Sequence, residues 1–559
     1  MALNITQDIK DLKRFRHILA VFFEEGLGHY LKKGKLRSQL KFLHQIQFTK
    51  PLSIKEKQAQ ALRHSFERLG PTFAKLGQLL SLRPDLVPLE YAKEFEHLQD
   101  DIPSFSYEQV KQIIETELGQ PISKLFKSFA KKPIASASIA QVHKATLKTG
   151  EIVAVKVQRP DVKEIIDTDL DILFFIAYHL EKHFEDIGKY RPVSIVKEFA
   201  LWTRKELNFI IEKQNAQRLR EELKDNKKVY IPKIYDSYCS QKVLVMEYIE
   251  GIKLDNISAF NKLKINRKTL AKNYFLTILE QSLIHGFFHA DPHPANIFVQ
   301  KNGKLVYLDY GIVGELSSSD RNKIIKFIHS IHEGDSNKSL EIMISLARDT
   351  SYANLEEFKK EALPILHDVY MNDIAQKGLG KGFYEIISLG ARYGVIFDPS
   401  HVLMAKAVYQ AEGLGMKLDP KFKVAERLKE FADIYLKTNY SPTLMAKKLK
   451  DSFIAQKNLL LELPEHISKI IKRLETPPDN SQEIAHLKKI EEQLESNNRR
   501  RNEILLLISL FGLAIFLFYL EGRKDIFGFP LSGIIFVIGI IATLFIVIIN
   551  KKKEMARIF

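Results

Sequence analysis

The stretch that decides the reading is His289-Ala290-Asp291-Pro292-His293-Pro294-Ala295-Asn296, followed by Leu308-Asp309-Tyr310-Gly311. Asp291 and Asn296 stand five residues apart, and Asp309 lies thirteen beyond Asn296. Three acceptor side chains on two neighbouring loops suit a magnesium-bound triphosphate. In that arrangement the Asp291 carboxylate faces the attacking group, while the Asn296 amide oxygen and the Asp309 carboxylate hold the metal.

Working upstream, Val153-Ala-Val-Lys156-Val157 is a β-branched strand with a lysine inside it. A lysine in a buried strand is costly without an anionic partner. It therefore needs an anionic partner such as a carboxylate, and its likeness to the protein-kinase V-A-I-K strand implies that it reaches the α- and β-phosphates. Glu206-Leu-Asn-Phe-Ile-Ile-Glu212 offers two. On one continuous helix they lie roughly 240° apart, so only one is expected to meet Lys156, and Glu206 is preferred. Before the lysine strand runs Ile134-Ala135-Ser136-Ala137-Ser138-Ile139-Ala140-Gln141-Val142. Alanine lacks the freedom at positive φ that a glycine-rich phosphate loop uses. This loop is expected to bind nucleotide with a different geometry, with the Ser136 and Ser138 hydroxyls available. Val245-Met-Glu247-Tyr248-Ile-Glu-Gly251 ends a strand and enters a turn; it is either a plain strand-turn or, standing where a protein-kinase hinge would, backbone at Glu247 and Tyr248 that meets adenine. Gly378-Leu-Gly-Lys-Gly382 lacks the G-x-x-x-x-G-K-[ST] spacing of a phosphate loop and is set aside.

A second dense motif is Arg68-Leu-Gly-Pro-Thr-Phe-Ala-Lys75-Leu-Gly77-Gln78-Leu-Leu-Ser-Leu82. On a helix Lys75, Gln78 and Leu82 share one face. Gly77 costs about 1 kcal/mol relative to Ala there, which predicts close packing against a neighbour. Beyond Gly311, Ser317-Ser-Ser-Asp320 already reads as a helix cap, and the tripeptide A-P-E occurs nowhere in the chain. The platform that holds a peptide substrate is expected to be missing.

The chain has 559 residues, enough for more than one domain, and a net charge of +16. A single cysteine, Cys239, rules out a disulfide framework and cysteine-cluster metal sites. No cleavable signal peptide is expected at Met1-Ala-Leu-Asn. The basic excess suits nucleic acid or an anionic membrane, and the C-terminus favours the membrane. Ile504 to Leu520 and Leu531 to Ile549 are uncharged apolar runs of 17 and 19 residues, close to the length of a membrane-crossing helix. Arg499, Arg500 and Arg501 precede them, and Lys551, Lys552 and Lys553 follow. This predicts a transmembrane hairpin with both outer ends cytoplasmic. The expected organisation is a helical extension over 1–125 and a catalytic domain over 126–475. A linker and amphipathic helix follow over 476–503, then two transmembrane helices within 504–549. Lys32, Lys33, Lys35, Arg37 and Lys41 among leucines suit either a membrane-surface helix or a solvated face.

The Asp-to-Asn spacing and the Asp-x-Gly that follows match the protein-kinase H-R-D-x-x-x-x-N and D-F-G motifs, and Lys156 matches V-A-I-K. With Lys75-Leu-Gly-Gln78, the Ala/Ser loop and Glu206 to Glu212, the chain over about 60–320 resembles the UbiB/AarF family of atypical kinase-like proteins. Its length and terminal hairpin are most similar to bacterial members. The resemblance implies an α+β, protein-kinase-like bilobal fold, with a small sheet-containing N-lobe and a helical C-lobe. A helical extension precedes it, and its K-x-G-Q helix covers the nucleotide site. It implies ATP and Mg2+ as cofactors and a role in ubiquinone biosynthesis at the inner membrane. Partners would be a lipid or isoprenoid quinone precursor and quinone-biosynthesis proteins, not nucleic acid. The family commonly has Asp at Asn208 and Gly at Ala295. The first change removes a charge near the expected partner of Lys156. Two alternatives stand beside an ATPase or small-substrate kinase: a true protein kinase acting on a biosynthetic partner, and a non-catalytic lipid-binding scaffold gated by ATP.

Overall fold

The computed structural model describes residues 9–27, 55–98, 103–184, 188, 190–371 and 378–439, with Asp525–Ile526 and Phe529–Pro530. The basic segment at 32–43, the amphipathic stretch at 484–494 and the apolar runs at 504–520 and 531–549 lie outside the described residues. Among the described residues no helix is long and apolar enough to cross a membrane. The chain divides into two units, Met1–Met445 and Ala446–Phe559. In the second, Asp525–Ile526 pairs antiparallel with Phe529–Pro530. Everything below concerns the first.

The described part of the first unit opens with helices α1 (Ile9–Glu24), α2 (Lys55–Leu69), α3 (Pro71–Leu82) and α4 (Leu89–Phe95). Pro71 at the first position of α3 has the φ a helix start needs, and Gly70 before it supplies the turn at φ 97°. Gly77 is the packing glycine its position predicted: a Cβ there would lie 2.1 Å from Leu98 Cδ1 and 3.1 Å from Phe66. Arg14 of α1 ties this extension down. Its guanidinium donates to both carboxylate oxygens of Asp169, at 2.7 and 2.9 Å, and to Leu69 O at 2.7 Å. The Asp169 side chain has no solvent exposure, so this bidentate partner offsets an otherwise severe desolvation.

α5 (Tyr107–Leu118) begins in a capping box of Ser106 with Gln109 and ends at left-handed Gly119. After α6 (Ile122–Leu125) come β1 (Phe126–Phe129), β2 (Ala135–Ser136), β3 (Ala140–Leu147) and β4 (Ile152–Gln158). Helices α7 (Val162–His183), α8 (Pro192–Glu206) and α9 (Phe209–Glu222) follow, then β5 (Val229–Tyr230) and β6 (Val243–Glu247). The N-lobe sheet is antiparallel in the order β1-β3-β4-β6, with β2 on the outer part of β3. Two-residue periodicity sorts its faces. Val153, Val155, Val157, Val243 and Val245 pack under Val110, Ile114, Ile122 and Leu125. The opposite face therefore carries Val142, Ala154, Lys156, Leu244 and Met246, with Lys156 paired to Val142 on one side and Leu244 on the other.

The C-lobe begins with β7 (Ile252–Lys253), α10 (Ile257–Lys262) and α11 (Arg267–Leu279), the last running into a π-helical turn, Glu280–His285. The loops of interest hang between short strands: β8 (Phe287–His289), β9 (Ile297–Val299), β10 (Leu305–Tyr307) and β11 (Val313–Glu315). Ser317 then caps α12 (Ser318–His332), its hydroxyl accepting from Asp320 N at 3.1 Å. Only one short strand separates Gly311 from this helix, as the cap predicted. Helices α13 (Ser336–Ser345), α14 (Leu355–Met371), α15 (Leu379–Tyr393), α16 (Pro399–Leu418) and α17 (Val424–Asn439) complete the described C-lobe. This is the two-lobe arrangement expected: a sheet-containing N-lobe and a helical C-lobe.

The Gly378–Gly382 segment is the start of α15. The buried Glu412 carboxylate accepts from Gly380 N at 2.8 Å and Lys381 N at 3.4 Å. An internal carboxylate thus fills the place an anion would take, which agrees with setting the segment aside. Lys406, also buried on α16, pairs with Glu96 and lies 5.2 and 5.8 Å from the rings of Tyr384 and Tyr409. The extension is therefore fastened to the C-lobe as well as to α7.

Candidate nucleotide site

The cleft face of the sheet and the two C-lobe loops carry opposite charges that meet. Lys156 Nζ donates to both oxygens of Glu212, at 2.7 and 2.8 Å, and lies 3.9 Å from Asp309 Oδ2. The expected partner, Glu206, pairs instead with Lys75 of α3. The correction has a local cause. Residues 206–212 are not one helix: α8 ends at Glu206, and α9 begins at Phe209 with Asn208 as its N-cap, accepting from Ile210 N at 3.1 Å. Helical angles do not carry across that break, and both glutamates face the same cleft. Asn208, where the family commonly has Asp, caps the second helix at this break through its side-chain oxygen.

Burial disfavours charge on both glutamates and raises their pKa values, with the adjacent lysines working against the shift. Burial also opposes the Lys156 charge, but Asp309, Glu212 and Glu206 outweigh it and its pKa is raised. Asp309 behaves differently. Burial opposes its ionisation, yet Lys156, the Gly311 amide and Lys75 hold it down at about 2. Its side chain is 48% exposed despite the surrounding protein mass, because it faces the open cleft. The site thus contains one reliably ionised, solvent-facing carboxylate.

Asp309 Oδ1 accepts from Gly311 N at 2.9 Å. Asn296 Nδ2 donates to Asp291 Oδ2 at 2.9 Å and to Asp291 O at 3.2 Å. This fixes the amide so that its Oδ1 is the end without a protein hydrogen bond among the described residues. Among those residues no group of three or more His, Cys, Asp and Glu side chains is arranged for a metal. One free amide oxygen and one ionised carboxylate nevertheless suit a hard cation that takes its remaining ligands from phosphate and water. Burial raises the Asp291 pKa, against His289, which lowers it. His289 joins the two loops: its Nε2–H donates to the Asp309 carbonyl, and burial lowers its own pKa against the neighbouring Asp291 and Asp309.

The Ala/Ser loop departs from expectation in which atoms it shows to the cleft. It is a tight hairpin, Ala137 N donating to Ala140 O at 2.8 Å. Ile139 and Ala140 are core residues, and Ser138 is fully buried with its hydroxyl unpartnered. The Ser136 hydroxyl already accepts from Arg159 at 2.9 Å. Gln141 is buried too, accepting from Phe105 N at 3.0 Å and meeting His143 Nε2 at 2.9 Å. The Ser136 hydroxyl and the Gln141 amide are therefore engaged within the protein, and the Ser138 hydroxyl is shut off from solvent. Val142 and the backbone of the turn remain to face a nucleotide, with Ile134 51% exposed at the rim. Arg159, which nothing in the motif pattern marked, clamps this hairpin: Nε donates to Ala137 O at 2.9 Å and Nη2 to Pro103 O at 2.8 Å. Arg159→Ala is expected to loosen the hairpin and weaken ATP binding about tenfold, the equivalent of one charge-assisted hydrogen bond, in a nucleotide titration.

The N–H groups of the expected adenine edge are taken up by the sheet. Glu247 N donates to Lys233 O at 2.8 Å and Tyr248 N to Ile152 O at 3.0 Å. The Glu247 carboxylate accepts from Tyr230 Oη at 2.6 Å. Both N–H groups belong to the sheet, so Ile249 is the first amide beyond them without a backbone partner among the described residues. Lys75 is brought into the cleft, as its motif suggested: it is nearly buried, lies 5.8 Å from the Trp202 ring centre, and acts on both Asp291 and Asp309. Gln78, one turn on, is half-buried.

Comparison with known proteins places this geometry in a family. Residues 97–343 match the ABC1 atypical kinase-like domain. The chain is 30% identical over 513 residues to "Probable protein kinase UbiB" of Marinobacter nauticus, covering 90% of this chain and 93% of that protein. It is 31% identical over 461 residues to the Erwinia tasmaniensis protein of the same name, covering 81% and 85%. It is 34% identical over 425 residues to "Protein ACTIVITY OF BC1 COMPLEX KINASE 7, chloroplastic" of Arabidopsis thaliana, covering 75% of this chain and 61% of that longer protein. The chain belongs to the UbiB/ABC1 family of atypical kinase-like proteins.

Proposed function

We propose that the protein is a membrane-anchored, magnesium-dependent ATPase or small-substrate kinase that supports ubiquinone biosynthesis at the cytoplasmic face of the bacterial inner membrane. The observation that carries the reading is the cleft in which Lys156, paired to Glu212, stands 3.9 Å from an Asp309 held ionised. Lys156 binds the α- and β-phosphates, and Glu212 orients it. Asn296 and Asp309 hold magnesium, which supplies charge neutralisation on the phosphates when bound. Asp291, steadied by the Asn296 amide, orients the attacking oxygen or takes its proton. The short run from Gly311 to α12 leaves little chain for a peptide platform, which favours water or a small lipid-like acceptor over a protein. The apolar runs at 504–520 and 531–549 supply the anchor.

A second reading has its own support. Lys75 of the extension sits among the acidic groups of the cleft, paired to Glu206, which suits an ATP-gated scaffold in which nucleotide displaces the extension. The test is ATP hydrolysis by the full chain in lipid vesicles, with quinone content of a deletion strain measured in parallel. Magnesium-dependent turnover lost in Lys156→Ala, with quinone restored by the native gene and not by Asp291→Asn, supports the enzyme. Nucleotide binding without turnover, with Asp291→Asn restoring quinone, supports the scaffold.

A further inference from the structure

The catalytic loop is suspended from a buried polar scaffold that the motif pattern does not mark. Tyr274, on α11, has no solvent exposure, and its hydroxyl donates to Pro292 O at 2.6 Å. Pro292 directly follows Asp291, so this bond holds the backbone that carries the carboxylate. Gln281, also fully buried, accepts from His289 N at 3.0 Å through its side-chain oxygen. His289 in turn donates from Nε2 to the Asp309 carbonyl. Two side chains from one helix thus grip the loop on either side of Asp291, and the second grip passes on to the metal loop.

The helix is locally remade to present them. α11 is regular to Leu279, and Glu280–His285 is a π-helical turn. A π turn adds a residue to the winding and rotates the side chains that follow, and such turns concentrate at functional sites. The turn closes at Gly286, with φ 79°, whose amide donates to Gln281 O at 2.8 Å. A Cβ at Gly286 would meet Leu316 O at 2.8 Å, so the segment must return tightly into β8 here. The Gln281 Nε2 and the Tyr307 hydroxyl, both buried, are each other's polar neighbours. A glutamine buried in an apolar core is costly unless both ends meet polar groups. Its bond to His289 N is the contact that places it beneath the loop.

We infer that Tyr274 and Gln281 are positioning residues for Asp291, acting through Pro292 O and His289 N, and that the π-helical turn exists to aim Gln281. Their effect on turnover rests on the nucleotide reading above; their effect on loop order does not. The experiment uses the full chain in lipid vesicles with Tyr274→Phe and Gln281→Met, which remove the hydrogen bonds and nearly keep volume. Three quantities are read: kcat, KM for ATP, and amide hydrogen exchange by segment. The expected result is kcat lowered about tenfold or more with KM within about twofold, since misplacing a reacting group costs rate rather than ground-state binding. Exchange is expected to rise in 288–297 and to stay unchanged in the sheet of the N-lobe and in α16. Exchange unchanged in 288–297, or raised equally throughout the C-lobe, overturns the inference. If the native protein shows no turnover, the enzyme reading falls, and the exchange pattern alone still decides this one.

Discussion

Asp309→Asn is expected to lower magnesium-dependent ATP turnover by roughly 10²- to 10³-fold, the largest single-site effect in the cleft. The substitution keeps the shape and the Gly311 contact but removes a cleft carboxylate whose pKa is held at about 2. It also removes a charge 3.9 Å from Lys156. Because Glu212 keeps Lys156 paired, folding should survive, and the melting temperature provides the control. Titration of turnover against magnesium separates the causes. A metal ligand shifts the concentration needed for half-maximal activity to higher values. A residue that merely supports the loop lowers the maximum and leaves that concentration in place. Turnover within about threefold of the native value at saturating magnesium would remove Asp309 from the mechanism.

The second large effect separates the two glutamates. Glu212→Gln removes the anion hydrogen-bonded to Lys156 and leaves the ammonium only Asp309, 3.9 Å away, as a close counter-charge. ATP affinity is expected to fall at least about tenfold, because the ammonium is no longer aimed at the phosphates. Glu206→Gln releases Lys75 instead. It should leave ATP affinity within about threefold while raising hydrogen exchange in Pro71–Leu82, the helix that the ion pair holds in the cleft. In the Lys156→Met background Glu212→Gln should cost no further ATP binding, because it acts only through that lysine, whereas Glu206→Gln should have the same small effect with or without Lys156. The opposite pattern of coupling would restore Glu206 as the lysine's partner.

These two experiments fall on the line between what was legible in the chain and what was not. The strands around Lys156 and Val243–Glu247, the capped helix after Gly311 and the packing at Gly77 all follow from local rules. Period-2 alternation, a serine cap and the missing Cβ of glycine act within a few residues, so neighbours in sequence suffice to see them. The pairing of Lys156 is not legible locally, because a helical angle does not carry across Leu207 and Asn208, which close one helix and cap the next. The Ser136 and Ser138 hydroxyls are not legible for another reason. Whether a small polar side chain faces a cleft or the core depends on what packs behind it, here Arg159 and the core under Ile139. Arg159, Tyr274 and Gln281 carried no signal at all, since each acts on backbone far away in sequence or on a loop it does not belong to.

The sequence by itself determined the chemistry available: an Asp–Asn–Asp set at kinase spacing, a strand lysine and an acidic pair, with two apolar runs after them. Spacing along one chain constrains which groups can share a loop, and residue type constrains what they can bind. Only the tertiary structure decided which cation meets which anion. Lys156 takes Glu212 and Lys75 takes Glu206 because a helix break turns both carboxylates into one cleft, and because α3 is fastened over it. Charge pairing is a matter of a few ångströms between segments that are 56 and 131 residues apart. No local pattern encodes that distance; the packing of α3, α8, α9 and β4 does.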